Sequence, residues 1–577
     1  MQFDKATDMS MYDYITDNKE SRNWQEIIYF DNKIKYKDFI ALVDKLAYFF
    51  QSKGYKPGDN VAVCLPNIPQ AVITIYALNK CGITANMIHP LMKDNGFLNI
   101  IKRTNPKMLF VSDALYNNYK NVLKTAAVET VVCKTANYAP IYAKPVIAHK
   151  LKKAGINVVY GGNILKFSDL IKESGEIVYK PTGKDTAFYL HSGGTTGEPK
   201  TVVLSNYALN KYAQTAIDSY LESVDKRAAK NPEIKDKITP ERYGPGFVKG
   251  IMLMVMPLFH GFGLGFCMHM AIRVGGSIVM IPKFDAAPVA KTLKKHNVNF
   301  VVGVPSMFDK LLKQKDFKEA DFSGYKLIAT GGDSINPEKK AEINEVLRVG
   351  GSGVRIGESY GLTETVTTLA VDFDGKEKPH NLGPLMKGVK IKVVNDDMQE
   401  LKTGEAGELW VSCPYIMDGY YDDPKATAAT LYTDKNGETW VKTGDIGFFD
   451  ENGDIYMKGR KKRIIIISGL NVYPVEIETL VYSIKEIRLC CAIESKNRSG
   501  NTVVKLCVVP EDGYVLDDAL KAKITALCRE NLITYAVPKE IIAKDDLPLT
   551  LIGKVDYRKC QAEENNTPEE VKPEQNI

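Results

Sequence analysis

Hydrophobic and polar positions along the chain follow two periodicities. Residues 36–53 carry Phe39, Leu42, Leu46, Phe49 and Phe50 at helical spacing, which predicts an amphipathic helix. Residues 60–64, NVAVC, are a short apolar run that reads as a strand, and residues 69–81 return to a helical pattern. Residues 298–304 and 325–330 are further apolar runs of strand length. Strands that alternate with helices predict an α/β fold class with largely parallel sheets, since a parallel pair needs a crossover and a helix supplies it.

The C-terminal region reads differently. Four isoleucines, Ile464 to Ile467, follow a basic run and predict a strand. A helical pattern over 475–483, a strand over 503–509 and a helical pattern over 516–531 come next. Together they predict a compact α+β unit of about 100 residues behind a large α/β region. Residues 561–577 are polar, acidic and rich in Glu, Asn and Pro, the composition of a disordered tail.

One stretch raises a membrane question. Residues 250–272 contain no Asp, Glu, Lys or Arg, and that length could span a bilayer. Pro257, His260, His269 and the glycines Gly261, Gly263 and Gly265 interrupt it, so it predicts a buried strand, a loop and a helix start, and no transmembrane span. The remaining composition excludes more than it assigns. With 44% hydrophobic and 25% charged residues, the 577-residue chain is neither disordered nor fibrous. A net charge of +6, from 76 Lys+Arg against 70 Asp+Glu, gives no warrant for a nucleic-acid binder. Ten cysteines without a C-x-x-C exclude a zinc framework or disulfide scaffold, and no apolar run near the N-terminus marks a signal peptide. The expected setting is cytoplasmic.

The chemistry concentrates in a few strings. Residues 189–200 read YLHSGGTTGEPK. Gly193, Gly194 and Gly197 let backbone N–H groups converge on an anion, Ser192, Thr195 and Thr196 add hydroxyls, and Lys200 adds positive charge. That chemistry suits a polyphosphate, although no G-K-[ST] of a Walker loop occurs in the chain. Taken alone, the string also fits a hairpin turn. A rival motif is GESYG at 357–361, the G-x-S-x-G of a serine-hydrolase nucleophile elbow with 354–356 as its strand. That fold needs an acid and then a histidine after Ser359; only His380 follows, too close to leave room for both.

The loop string resembles the phosphate-loop signature of the adenylate-forming superfamily, which includes acyl- and aryl-CoA synthetases, adenylation domains of peptide synthetases and luciferase. Further motifs follow in family order across roughly residues 10–560: YGLTET at 360–365, TGD at 443–445, GRKKR at 459–463, SGLNVYPVEIE at 468–478 and LPLTLIGK at 547–554. The resemblance implies ATP and Mg²⁺ as cofactors and coenzyme A as co-substrate. It implies a nucleotide site built from the loop, Glu358, Ser359, Tyr360, Gly332 and Asp333, with Asp445 on the ribose and Arg460 on the nucleotide. Thr363 would bond the α-phosphate, Glu364 and Thr196 would hold the metal, and Lys554 would be the catalytic lysine. Gly469 would let a pantetheine arm approach after the C-terminal unit rotates about Lys462. The implied division is an ATP- and acyl-binding domain over residues 1–459, a hinge over 460–463, a mobile unit over 464–560 and the tail over 561–577.

Three departures stand out: Thr201 where glycine commonly follows Pro-Lys, Arg463 where an acid is frequent, and Leu551-Ile552 where small residues usually precede Gly-Lys. MPLFHGFGL at 256–264 resembles the family's acyl-pocket motif, placing His260 and Phe259 at the carboxylate end. A buried, hydrogen-bonded histidine is the other reading of His260. Met252, Met254, Met256, Met268 and Met270 would give soft apolar walls, with 304–307 and 329–333 adding more. No Asp or Lys sits there to hold an amino-acid ammonium or a second carboxylate, so the expected substrate is a fatty or other apolar carboxylic acid. An acyl carrier protein or an amine remains an alternative acceptor, an amino or aryl acid an alternative substrate, and a non-enzymatic binding module or the hydrolase the rival classes. Oligomeric state is left open, and peripheral membrane contact is compatible with the sequence.

Overall fold

The computed structural model describes residues 8–17, 25–126, 128–191, 200–230, 250–333, 335–373, 375, 381–497, 499–550 and 554–564. Two eight-stranded sheets dominate. In the first, Ile356–Gly361, Leu327–Gly331, Phe300–Gly303, Ile251–Met254, Ser277–Met280 and Glu26–Tyr29 run parallel, with Thr368–Val371 and Asn32–Lys35 antiparallel at the edges. In the second, Thr186–His191, Thr84–Met87, Asn60–Cys64, Met108–Ser112, Glu129–Cys133 and Ile164–Lys166 run parallel, and Thr201–Ser205 returns antiparallel beside Thr186–His191.

Helices fill the space between the sheets, and sequence explains which ones. Pro69–Lys80 is apolar nearly all round and is buried from Pro69 through Asn79, the signature of a helix with protein on every side. Tyr36–Ser52, by contrast, buries one stripe, Phe39, Val43, Leu46, Ala47 and Phe50. The uncharged stretch becomes the strand Ile251–Met254, a loop, and the wide-turned helix Phe262–Met270. Its glycines permit contacts that no side chain would: a Cβ on Gly261 would stand 1.6 Å from the Val366 carbonyl oxygen, and one on Gly263 2.1 Å from that of Pro257. Among the described residues no helix is long and apolar enough to cross a membrane.

A smaller five-stranded sheet, which includes Gly407–Ser412 and Thr439–Phe449, leads through Ile455–Arg460 into the C-terminal region. There, Ile487–Lys496, Thr502–Pro510 and Glu540–Ala543 form a three-stranded sheet beside the hairpin Ile465–Ile467 and Leu470–Val472. Ile465, Val472, Ile477, Val504, Leu506 and Ile524 build a core of their own there. The disorder expected from residue 561 is partly corrected: Tyr557–Glu564 is a helix whose Cys560 packs on the sheet, so residues 561–564 are its last turn. Residues 565–577 lie outside the described residues.

Candidate active site

Parallel strands deliver their following residues to one edge of a sheet, the common location of ligand sites in α/β folds. Here Ile251–Met254 leads to His260, Leu327–Gly331 leads to Gly332 and Asp333, and Ile356–Gly361 carries Glu358, Ser359 and Tyr360. The strand expected to stop at residue 356 runs on to Gly361, so Ser359 lies within a strand and its Oγ donates to the Thr330 carbonyl at 3.1 Å. That is no nucleophile elbow.

Asp445 is the centre of the nucleotide-side cluster. It is 1% exposed, accepts a 2.7 Å hydrogen bond from the Tyr360 hydroxyl on Oδ2, and pairs through Oδ1 with Arg460 Nε at 2.8 Å. Arg460 Nη1 also donates to the Thr443 carbonyl at 3.1 Å. Burial pushes the Asp445 carboxyl above the usual carboxylate value, while Arg460 and then Tyr360 pull it back. Arg460 itself is half-exposed, with 48% of its side chain open to solvent, so only the Asp445 carboxylate of the pair is buried and solvent screens the attraction.

Thr363 and Glu364 open the short helix Thr363–Thr365. The Tyr420 hydroxyl donates to Glu364 Oε1 at 2.7 Å, and Lys200 Nζ stands 4.5 Å over the Tyr420 ring. A cation, an aromatic ring and a carboxylate are thus in series at the exit of the glycine loop. No cluster of three or more metal-binding side chains occurs among the described residues. One carboxylate with an oxygen left over fits Mg²⁺, which keeps several waters and takes most of its remaining ligands from nucleotide phosphates. Ser192, Gly193, Gly194, Thr195, Thr196 and Gly197 lie outside the described residues, as do Leu551 and Ile552.

Lys554 comes from the C-terminal unit and reaches the end of the Leu327–Gly331 strand. A Cβ built on Gly332 would stand 3.7 Å from its Cε and 3.9 Å from its Nζ, and Gly332 itself has φ +84°. Burial draws the Lys554 ammonium below the usual lysine value; Asp333 and Asp445 oppose this and Arg460 adds to it. Thr550 N donates to the Lys554 carbonyl at 2.7 Å.

His260 marks the other side. Burial lowers it to about 4, helped by the neighbouring charges of His89 and Lys554, and its buried Nε2 has no hydrogen-bond partner among the described residues. The reading of a hydrogen-bonded core histidine is thereby corrected for Nε2. Phe259 lies between His89, at 4.2 Å between ring centroids, and His260, at 4.9 Å. An apolar cavity is lined by Ala216, Ile217, Tyr220, Met252, Phe266 and Phe300, among others, with Phe300 and Leu327 at the starts of their parallel strands.

Gly469 stands elsewhere in character: it turns the hairpin after Ile465–Ile467 at φ +81°, exposed, with nothing within 4 Å of where a Cβ would be. Lys462 lies in the short helix Lys461–Arg463, its ammonium lowered by burial and by Arg558, Lys200 and Arg460. Two further groups carried no sequence signal. Tyr420 is one aromatic among many, and Lys340, 3.0 Å from Glu358, sits in a helix of lysines and glutamates that reads as a solvated face. The Thr201 departure is absorbed: Arg103 Nη2 donates to its Oγ1 at 2.5 Å, and His191 Nδ1 lies 3.0 Å from the same atom.

Residues 16–421 match the family model of the AMP-binding enzyme, and residues 476–554 that of the AMP-binding enzyme C-terminal domain. A long-chain-fatty-acid–CoA ligase of Bacillus subtilis is 28% identical over 547 residues, 93% of this chain and 91% of the relative. An indoleacetate–CoA ligase of Aromatoleum aromaticum is 28% identical over 530 residues, 91% of this chain and 92% of the relative. The crystal structure of ATP-bound MatB from Rhodopseudomonas palustris superposes with a TM-score of 0.79 at 21% identity, covering 97% of this chain and 99% of the other, and shares the fold. The chain belongs to the AMP-binding enzyme family. Within it, the protein is an enzyme of the AMP-forming acyl-CoA ligase class, for which ATP and coenzyme A are substrates.

Proposed function

We propose that the protein activates a fatty or other apolar carboxylic acid as its acyl adenylate, releasing pyrophosphate, and then transfers the acyl group to the thiol of coenzyme A with release of AMP. The observation that carries this reading is Lys554 lodged against Gly332, within electrostatic reach of Asp333, Asp445, Arg460 and His260. A cation at that point bridges an attacking carboxylate and the α-phosphate, where positioning and charge stabilisation supply most of the acceleration. Thr363 and the glycine loop bind phosphates, Glu364 holds Mg²⁺ with Thr196, and Tyr360, Asp445 and Arg460 receive the nucleoside beside Glu358 and Ser359.

The apolar cavity supports the choice of acid. It touches Leu327, four residues before Gly331 on one strand, so a chain entering at the strand's end runs about 13 Å, roughly ten carbons, to reach it. A flat aromatic acid is the second reading, favoured by the Tyr220, Phe266 and Phe300 rings in the wall. A cytoplasmic setting belongs to the proposal, in keeping with ten free, buried cysteines. Incubation with ATP, Mg²⁺ and a panel of acids, with and without coenzyme A, followed by mass spectrometry of AMP and thioester, tests it. Product that forms only with an acyl carrier protein or an amine overturns the acceptor, and product from amino acids alone overturns the acid.

For the second half-reaction, residues 464–560 rotate about 460–463 relative to 1–459 and bring Gly469 to the pantetheine arm. Lys462→Pro, which fixes φ at the hinge, is expected to spare pyrophosphate release and block thioester release. Normal overall turnover in that variant refutes the hinge.

A further inference from the structure

The chain's formal charge of +6 looks evenly spread in composition, and it is not. Residues 130–168 contain no Asp, Glu or Arg and six lysines, Lys134, Lys144, Lys150, Lys152, Lys153 and Lys166, so this one stretch has a charge equal to the net charge of the whole chain. Its helix, Ala143–Lys153, buries no residue. Ala143, Ile147 and Leu151 line the half-covered side, while Val146, His149, Lys150 and Lys153 share an exposed face at helical spacing. None of Lys144, Lys150, Lys152 and Lys153 forms an ion pair with a described residue.

Apolar tips stand among these charges. Ile141 is 86% exposed, Tyr142 68% and Val146 57%. The turn between Glu26–Tyr29 and Asn32–Lys35 joins them with Phe30, 43% exposed, because the Tyr142 hydroxyl donates to Asp31 Oδ2 at 3.1 Å and Asn32 Nδ2 donates to the Tyr138 carbonyl at 3.0 Å. Asp31, the acid at this surface, is paired with Lys295 at 2.7 Å and with His296 at 2.8 Å. Exposed aliphatic and aromatic tips among unpaired lysines match a bilayer interface, where apolar groups enter the acyl boundary and lysines meet anionic headgroups.

We propose that the helix Ala143–Lys153, with Ile141, Tyr142 and the Phe30 turn, is a docking surface for anionic lipid membranes. An acidic protein would satisfy the lysines but not the four protruding apolar side chains, which favours the bilayer. The proposal does not depend on the reading of the acyl site, since vesicle binding is measured without substrate. The intact chain is expected to sediment with vesicles of equimolar phosphatidylcholine and phosphatidylglycerol, to stay in solution with phosphatidylcholine alone, and to be released by salt. Replacing Lys150, Lys152 and Lys153 together by alanine lowers that partitioning roughly a hundredfold, at about fivefold per lysine, and leaves ATP-dependent thioester formation from a water-soluble acid unchanged. Ile141→Ser with Val146→Ser weakens binding to the same vesicles without changing its dependence on salt. Absence of vesicle binding, equal binding to both compositions, indifference to the lysine variant, or capture of an acidic carrier protein in place of vesicles each overturns it.

Discussion

At one end of the site Asp445 is sealed between Arg460 and Tyr360; at the other His260 is sealed among aromatic rings with its Nε2 unanswered. The side proposed for the nucleotide is a set of polar groups that are paired before any ligand arrives, with Glu358 and Lys340 and with Glu364 and Tyr420 repeating the pattern. The side proposed for the acyl group is built from methionines, glycines and rings, and the apolar cavity is lined by no charged side chain. A cofactor of fixed shape rewards preorganised polar groups, whereas a family of apolar acids is served by walls that adapt. The paired polar groups would then set the class of enzyme and the apolar walls its particular substrate.

The comparison breaks most visibly where one charge is removed. Asp445→Ala leaves the buried Tyr360 hydroxyl without its acceptor while Arg460 stays solvated, and is expected to cost about 1–3 kcal/mol of stability in urea titration and to raise the KM for ATP far more than that for the acid. An unchanged KM for ATP would separate Asp445 from nucleotide binding. Acid should discriminate the two ends next. His260 is lowered to about 4 by burial, and His191 and His269 to about 3, so each is neutral in the folded protein and charged below about 6.5 when unfolded. Their stabilisation is complete above pH 6.5 and is lost as pH falls toward 4. Between pH 7 and pH 5 each histidine removes about 2 kcal/mol, and the melting temperature should fall accordingly; a flat profile over that range would contradict the burial of these rings.

The smallest effect concerns the cavity. Ala216→Phe fills it from the helix Asn206–Lys230, and the longest accepted acid is expected to lose about tenfold in kcat/KM, the scale of one or two methylenes, with the KM for ATP unchanged. Equal loss for short and long acids would place the acyl chain elsewhere.

How much of this was legible in the sequence depends on the reach of each interaction. The helix at 36–53, the strands at 60–64 and 503–509 and the site strings declare themselves within a dozen residues, through periodicity or glycine content. The tie from Tyr420 to Glu364 spans 56 positions and that from Arg103 to Thr201 spans 98, and neither side chain is distinctive in its own segment. Thr201 therefore read as a departure in a loop, although it is the acceptor of a buried network. The balanced total charge likewise concealed the lysine surface, because composition averages over what the fold collects on one helix.

We propose that Lys554 serves adenylation and stands aside for thioester formation. Measuring the two half-reactions of Lys554→Ala separately tests it: ATP–pyrophosphate exchange should fall on the order of 10²–10³-fold, while thioester formation from supplied acyl adenylate stays within about threefold of the parent. Equal loss in both half-reactions would contradict it.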